Sequence, residues 1–236
     1  MNTTAIQRLY LLQVVTGSHF SGIANAVCYL LETIDGKRIL IDSGLPPEYL
    51  QHMPVEEERN VLLQLADLGI QPEDIDILIC THFDVDHAGY HDAFTRAECI
   101  VQRKHYEQAK SGHERYAPAR AHWDHPALRY RLIDGDTELL PGLTLLETSG
   151  HAYGHQSVLV RLPQTGPVLL TIDAVSLQRL FVPDRPKWPL DDNEDQLRAS
   201  TQKLLDLVER EQVRLVIFGH DGQQWKSLKK APDSYN

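Results

Sequence analysis

Apolar residues fall along this chain in short runs. Nine stretches of four to seven residues, rich in leucine and β-branched side chains, read as strands: Leu9–Val15, Val27–Glu32, Arg38–Ile41, Ile75–Cys80, Cys99–Gln102, Leu143–Glu147, Ser157–Leu162, Val168–Ile172 and Val213–Phe218. Helical periodicity is clearest over Asn193–Glu209, where Leu197, Thr201, Leu204, Leu205 and Val208 share a face and Asp192 or Asn193 is placed to cap the first turn. A second helix is predicted from about Val55 to Leu68, with Val61, Leu65 and Leu68 on one side and Gly69 as its stop, and a third over Arg103–Lys110. Asp35-Gly36 and Asp134-Gly135 have the chemistry of tight turns joining antiparallel strands, so hairpins are mixed with helices and a purely parallel doubly wound sheet is excluded.

The least regular segment is Ser111–Tyr130, which carries His113, Tyr116, His122, Trp123 and His125 around Pro118 and Pro126. It is expected to be a solvated loop with aromatic residues pinned to the core, and secondarily a wall of a pocket. No linker, repeat or low-complexity stretch divides the chain, so residues 1–236 are expected to form one domain.

Composition narrows the partners. With 23 Lys and Arg against 33 Asp and Glu, the formal charge is -10, which repels phosphate backbones and anionic lipid. Neither nucleic acid nor a membrane is expected as a partner. Cys28, Cys80 and Cys99 form no C-x-x-C pair, and the apolar run Leu9–Leu12 is too short for a signal peptide or a membrane span, so a cytoplasmic protein is expected. The 12 histidines are the anomaly, because histidine is the commonest metal ligand.

Their placement supplies a reason. Ile75–Cys80 runs into Thr81-His82-Phe83-Asp84-Val85-Asp86-His87, Leu143–Glu147 leads to Gly150-His151-Ala152-Tyr153-Gly154-His155, Val168–Ile172 ends at Asp173, and Val213–Phe218 ends at Gly219-His220. A fifth strand, Arg38–Ile41, ends at Asp42. Each histidine taken alone reads as a hydrogen-bonded residue at a core edge. Strand ends converging on one edge of a sheet, however, assemble His and Asp from distant parts of a chain into a metal site. Four candidate ligands within the six positions His82–His87 suit a metal pair sharing a carboxylate better than a single ion.

These motifs, in this order, resemble the metallo-β-lactamase superfamily and within it most the N-acyl homoserine lactone lactonases. The resemblance extends to Val27–Thr33, Ile41-Asp42-Ser43-Gly44, Leu170–Ala174 and Phe218–Asp221. It implies an α/β fold, the αββα sandwich of two mixed sheets flanked by helices. It also implies a dinuclear metal-dependent hydrolase that opens a lactone with hydroxide generated between two divalent ions, zinc by family. The ligands it implies are His82, Asp84 and His155 for the first ion and Asp86, His87 and His220 for the second, with Asp173 bridging. Asp42 and His151 would support them from behind, and Asp86 would move the proton to the leaving oxygen. The partner implied is a small-molecule lactone or ester, and a homodimer is compatible with this reading. An ester or thioester hydrolase of the same fold, and a metal- or small-molecule-binding member with little turnover, are the alternatives.

The chain departs from the family pattern twice. Asp84 stands where the signature has its second histidine, which lowers the formal charge of the site by one unit and moves preference from zinc toward Mn²⁺ or Fe²⁺. Ser176 stands where the lactonases have a tyrosine that hydrogen-bonds the substrate carbonyl, so either Ser176 with backbone or water filling the gap, or Tyr153 or Tyr90, is expected to make that contact, or the substrate is not an acyl homoserine lactone.

Overall fold

A computed structural model of the chain describes residues 4–16, 25–50 and 57–236. β1 (Ile6–Thr16), β2 (Asn25–Thr33) and β3 (Arg38–Ile41) open it as an antiparallel meander, followed by the short α1 (Pro47–Leu50), the two-residue β4 (Glu57–Glu58) and α2 (Val61–Asp67). Next come β5 (Ile77–Ile79), β6 (Glu98–Gln102), α3 (Arg103–Lys110), α4 (Arg120–Trp123) and β7 (Arg129–Ile133). The second half contributes β8 (Thr137–Leu140), β9 (Leu143–Glu147), β10 (Gln156–Leu162), β11 (Gly166–Ile172), α5 (Glu194–Glu211), β12 (Leu215–Phe218) and α6 (Gly222–Trp225).

The strands form two mixed sheets, one of seven in the order β4-β1-β2-β3-β5-β6-β7 and one of five in the order β12-β11-β10-β9-β8. Period-two alternation sorts their side chains into layers. Leu9, Leu11, Ile39, Ile41 and Ile79 of the first sheet meet Leu143, Leu145, Val158, Val160, Leu170 and Ile217 of the second in the central layer. The alternate residues Tyr10, Leu12, Leu40 and Leu78 point outward to Val61 and Leu65 of α2, Ala109 of α3 and Trp123 of α4. Leu146, Leu159 and Leu169 likewise face Leu204 and Leu207 of α5. Burial on both faces is why these strands read as nearly continuous apolar runs, and the result is the expected αββα sandwich.

All nine expected strands are present. Three more, β4, β7 and β8, are short or carry alternating polar residues at sheet edges, where one face meets solvent and the apolar run is lost. Asp35-Gly36 joins the antiparallel pair β2 and β3, as expected, but Asp134-Gly135 does not close a hairpin, because β7 lies in the first sheet and β8 in the second. α2 begins at Val61 because the Asn60 side chain accepts from Leu63 N–H; the predicted start at Val55 lies outside the described residues. On α5 the Asn193 cap is as expected, accepting from Gln196 N–H, while Leu207 is the buried residue of the last turns and Leu205 and Val208 are half-buried. Among the described residues no helix is long and apolar enough to cross a membrane.

Candidate metal centre

The chemistry collects where β3, β5, β9, β11 and β12 run out. Two residues at these ends adopt left-handed backbone that side chains disfavour, Asp42 at φ 58° and the β-branched Ile172 at φ 52°. Such strain persists only where the surroundings over-determine it. Gly150, at φ 135°, lets the β9 loop approach α5 so closely that a Cβ would lie 2.3 Å from Leu197 N.

Three groups of side chains each bring one ligand atom per residue within 4.8 Å of one another: His82, Asp84 and His151; His82, His87 and Asp173; and Asp86, His87 and His220. Asp173 lies between the other two sets. Its Oδ1 is 2.9 Å from His220 Nε2 and 3.5 Å from His87 Nε2, while its Oδ2 is 3.3 Å from His151 Nε2 and 4.0 Å from His82 Nε2. Asp86 Oδ2 completes the far side, 3.6 Å from His87 Nε2 and 3.7 Å from His220 Nε2.

Asp42 prepares two of these rings. It accepts from Thr81 N–H at 2.8 Å, from the Thr81 hydroxyl at 2.6 Å and from His87 Nδ1–H at 2.8 Å. The Thr81 hydroxyl, committed as a donor, accepts from His82 Nδ1–H at 3.0 Å. Both ring protons are thereby placed on Nδ1, leaving lone pairs on the two Nε2 atoms. Among the described residues those two buried nitrogens have no hydrogen-bond partner. Buried polar atoms without partners cost about 1–3 kcal/mol each, so imidazole lone pairs and carboxylate oxygens left aimed at common points fit divalent cations.

The two histidines of the Gly150–His155 loop stand the other way round from expectation. His151 reaches the clusters through Nε2, with its Nδ1 held 2.9 Å from Asp191 Oδ1. His155 has both nitrogens engaged elsewhere: Nδ1 meets the Thr148 hydroxyl at 2.9 Å and Nε2 accepts from Asp173 N–H at 3.2 Å. The physical reason is local. Gln156 begins β10 one residue later, so the His155 side chain is already tied into the sheet edge, whereas His151 sits in the loop proper. His155 therefore supports the backbone of Asp173, and it is His151 that joins the clustered side chains.

Asp84 also differs from expectation, through a residue that sequence reasoning missed. Arg115 approaches its carboxylate with two parallel hydrogen bonds, Nε to Oδ1 at 2.6 Å and Nη2 to Oδ2 at 2.5 Å. Burial opposes ionisation of Asp84, but the guanidinium, with His82 and His151 beside it, holds the carboxyl well below the usual range. The carboxylate of Asp84 is thus matched by the Arg115 cation, and the pair carries no net charge. Arg115 lies on the turn Glu114–Tyr116, inside the irregular segment Ser111–Tyr130. The available signal was chemical: a buried carboxylate replacing a neutral ring calls for a positive partner.

His105, assigned no role from sequence, proves to be a staple. Its Nε2 accepts from Phe83 N–H at 2.9 Å and its Nδ1–H donates to Tyr153 O at 2.8 Å, joining the two ligand-bearing loops. Burial keeps it neutral, with a pKa lowered to about 4. Of the expected substrate contacts, Ser176 supplies its carbonyl to His220 N–H at 3.1 Å, and the Tyr153 ring is 41 % exposed under Lys104 Nζ.

This architecture has known counterparts. Residues 22–220 match the profile of the metallo-beta-lactamase superfamily. An N-acyl homoserine lactonase of Bacillus sp is 37% identical over 220 residues, covering 87% of this chain and 85% of that protein. The N-acyl homoserine lactonase AttM of Azorhizobium caulinodans is 37% identical over 77% of this chain and 72% of its own length. Among solved structures, an N-acyl homoserine lactone hydrolase with N-hexanoyl-L-homoserine, its product, bound at the catalytic metal centre superposes with a TM-score of 0.84 at 30% identity, covering 98% of this chain and 100% of that one. The converging strand ends, the shared Asp173 and these likenesses agree, and the chain belongs to the metallo-β-lactamase superfamily, among its N-acyl homoserine lactonases.

Proposed function

We propose that this protein is a dinuclear metal-dependent lactonase that hydrolyses the ester bond of N-acyl homoserine lactones. The observation that carries the reading is Asp173, whose two oxygens face histidines of two adjoining clusters. His82, Asp84 and His151 would hold a first ion, Asp86, His87 and His220 a second, and Asp173 both. Bound divalent ions supply Lewis-acid polarisation of the ester carbonyl and, with zinc, lower the pKa of water toward ~7.

The chain's own residues do the rest. Thr81, Asp42, Asp191 and Thr148 fix ring orientations, and His155 holds Asp173 N–H. Water adds to the carbonyl carbon, the ring C–O bond breaks, and the proton released must reach the departing alkoxide. Asp86 is suited to carry it, because its side chain is 19% exposed while Asp173 is 8% exposed. Zinc is the ion we assign, since Arg115 offsets the charge that Asp84 adds. A single hydrolase domain over residues 1–236 and a cytoplasmic location complete the proposal; the three free, buried cysteines support a reducing compartment.

A second reading, hydrolysis of another ester or a thioester, draws on Ser176, whose side chain cannot span the reach of a tyrosine hydroxyl. The test is a pH-stat assay of zinc-loaded protein with acyl homoserine lactones of short and long chain, γ- and δ-lactones, and simple esters and thioesters. Acid release from acyl homoserine lactones in preference to the others is expected. Turnover of esters or thioesters alone would replace the lactonase reading, and no turnover of any would refute both.

A further inference from the structure

Arg115 is held from every side. Besides Asp84, its Nη1 donates to His151 O at 2.8 Å, Leu190 O at 2.7 Å and Asp192 Oδ1 at 2.7 Å, and its Nη2 lies 2.8 Å from His151 Nε2. Its side chain is 15% exposed. The guanidinium has five N–H groups in a fixed plane, and these partners engage all of them, so Arg115 has no donor left for a substrate. Its charge is directed instead at two atoms of the first cluster, Asp84 Oδ2 and His151 Nε2, which lie 3.2 Å apart, with Asp84 Oδ2 also 3.4 Å from His82 Nε2.

A lone pair on His151 Nε2 exists when the ring proton sits on Nδ1, facing Asp191. That lone pair is available either to an N–H of Arg115 or to an ion. The same competition holds for Asp84 Oδ2, whereas Asp84 Oδ1 remains with Arg115 Nε. The second cluster is built otherwise: Asp86, His87 and His220 are organised by the carboxylates of Asp42 and Asp173. The two positions therefore differ in one fixed positive charge.

We infer that Asp84 and Arg115 act as a single charge-compensated unit in place of a neutral histidine, and that Arg115, as a positioning residue, makes the first metal position the weaker of the two. This rests on the dinuclear reading above. A carboxylate plus a guanidinium carries the formal charge of an imidazole, which keeps the site suited to zinc. An ion entering there does so against a cation in the wall and must share donors with it.

The test starts from the zinc-loaded full chain, dialysed against increasing chelator, with retained equivalents read by elemental analysis. Wild-type protein is expected to release its two ions in separate steps. In Arg115→Gln the earlier step should move to about tenfold higher chelator and approach the later one, which stays within twofold of wild type. A single step in the wild type, or an earlier step that is unchanged, loosened or shifted together with the later one in the variant, overturns the inference. Because Arg115 also ties down the loop around Leu190, a second pair guards against misfolding. Asp84→His alone leaves a guanidinium beside a neutral ring and should loosen the weaker ion, while Asp84→His combined with Arg115→Gln should restore it. Asp84→His that binds zinc as tightly as wild type overturns the inference too. Protein holding well under two equivalents of any ion before chelator is added refutes the dinuclear reading itself, which is a distinct result.

Discussion

The two halves of the metal centre are built by different means. The second position takes Asp86 and His87 from one short loop and His220 from the end of β12, and its central ring is held directly by Asp42 at the end of β3. Its supports are strand ends inside a close-packed sandwich. The first position takes His82 from the end of β5 but relies on two loops for the rest, with Arg115 and Asp191 reaching in from irregular segments to hold Asp84 and His151. One half thus inherits its precision from the sheets, and the other assembles it from loop side chains. Rigid elements hold a site more closely than loops do, so the two halves should fail differently when their supports are removed.

The sharpest test of the division is at the loop itself. His151→Ala removes a ring from the first cluster and leaves the second intact, so elemental analysis should find one equivalent of zinc lost and lactonase activity reduced on the order of 10³-fold. His155→Ala should keep both ions bound while lowering stability by about 2–4 kcal/mol in denaturant unfolding, because Asp173 N–H and the Thr148 hydroxyl lose a buried partner. The reverse result, with His155→Ala losing an ion and His151→Ala retaining both, would return the ligand role to His155.

A smaller effect should follow from Asp42→Asn. The amide keeps one acceptor oxygen but replaces the other by a donor, so it cannot accept from Thr81 N–H on one side and from the Thr81 hydroxyl and His87 Nδ1–H on the other all at once. Loss of such outer partners costs 10–100-fold in metal affinity. That loss should fall mainly on the second position, since Asp42 meets His87 directly and His82 only through Thr81. Equal weakening of both ions in a chelator titration would mean that the two halves are not separately supported.

The same division explains what could be read from the sequence. Strands buried on both faces wrote themselves as apolar runs, and the residues at their ends, Asp42, His82, Asp173 and His220, could be picked out because a polar residue after such a run is conspicuous. Asp86, His87 and His220, picked out from the loop after one such run and the end of another, are brought together in the structure. The first position was not legible in that way. Choosing between His151 and His155 depends on where the loop ends and β10 begins, which spacing alone does not decide, and Arg115 lies 31 residues from the Asp84 it pairs with. Asp191 and His105 act at similar removes, 40 residues from His151 and 22 from Phe83. Contacts between loops leave no periodic trace, so the half of the site made of them had to be seen in three dimensions.

The mildest prediction concerns the staple between the two loops. His105→Gln can still accept from Phe83 N–H, but its side chain cannot also donate to Tyr153 O in the geometry of a rigid ring. The His151 loop should loosen, weakening the first ion by several-fold in the chelator titration while the second is unchanged. The substitution also has a pH signature. His105 is lowered to about 4 in the folded protein, against about 6.5 in an unfolded chain. Between those values the unfolded state binds a proton that the folded state does not, so stability falls as pH drops from about 6.5 toward about 4, by on the order of 3 kcal/mol, and this contribution levels off below. Glutamine does not titrate, so unfolding free energies measured across this window should fall less steeply for His105→Gln than for wild type. Parallel curves would mean that His105 takes up its proton in the folded state, and the ring nitrogen that holds Phe83 N–H would then be a donor facing a donor, which is incompatible with the staple.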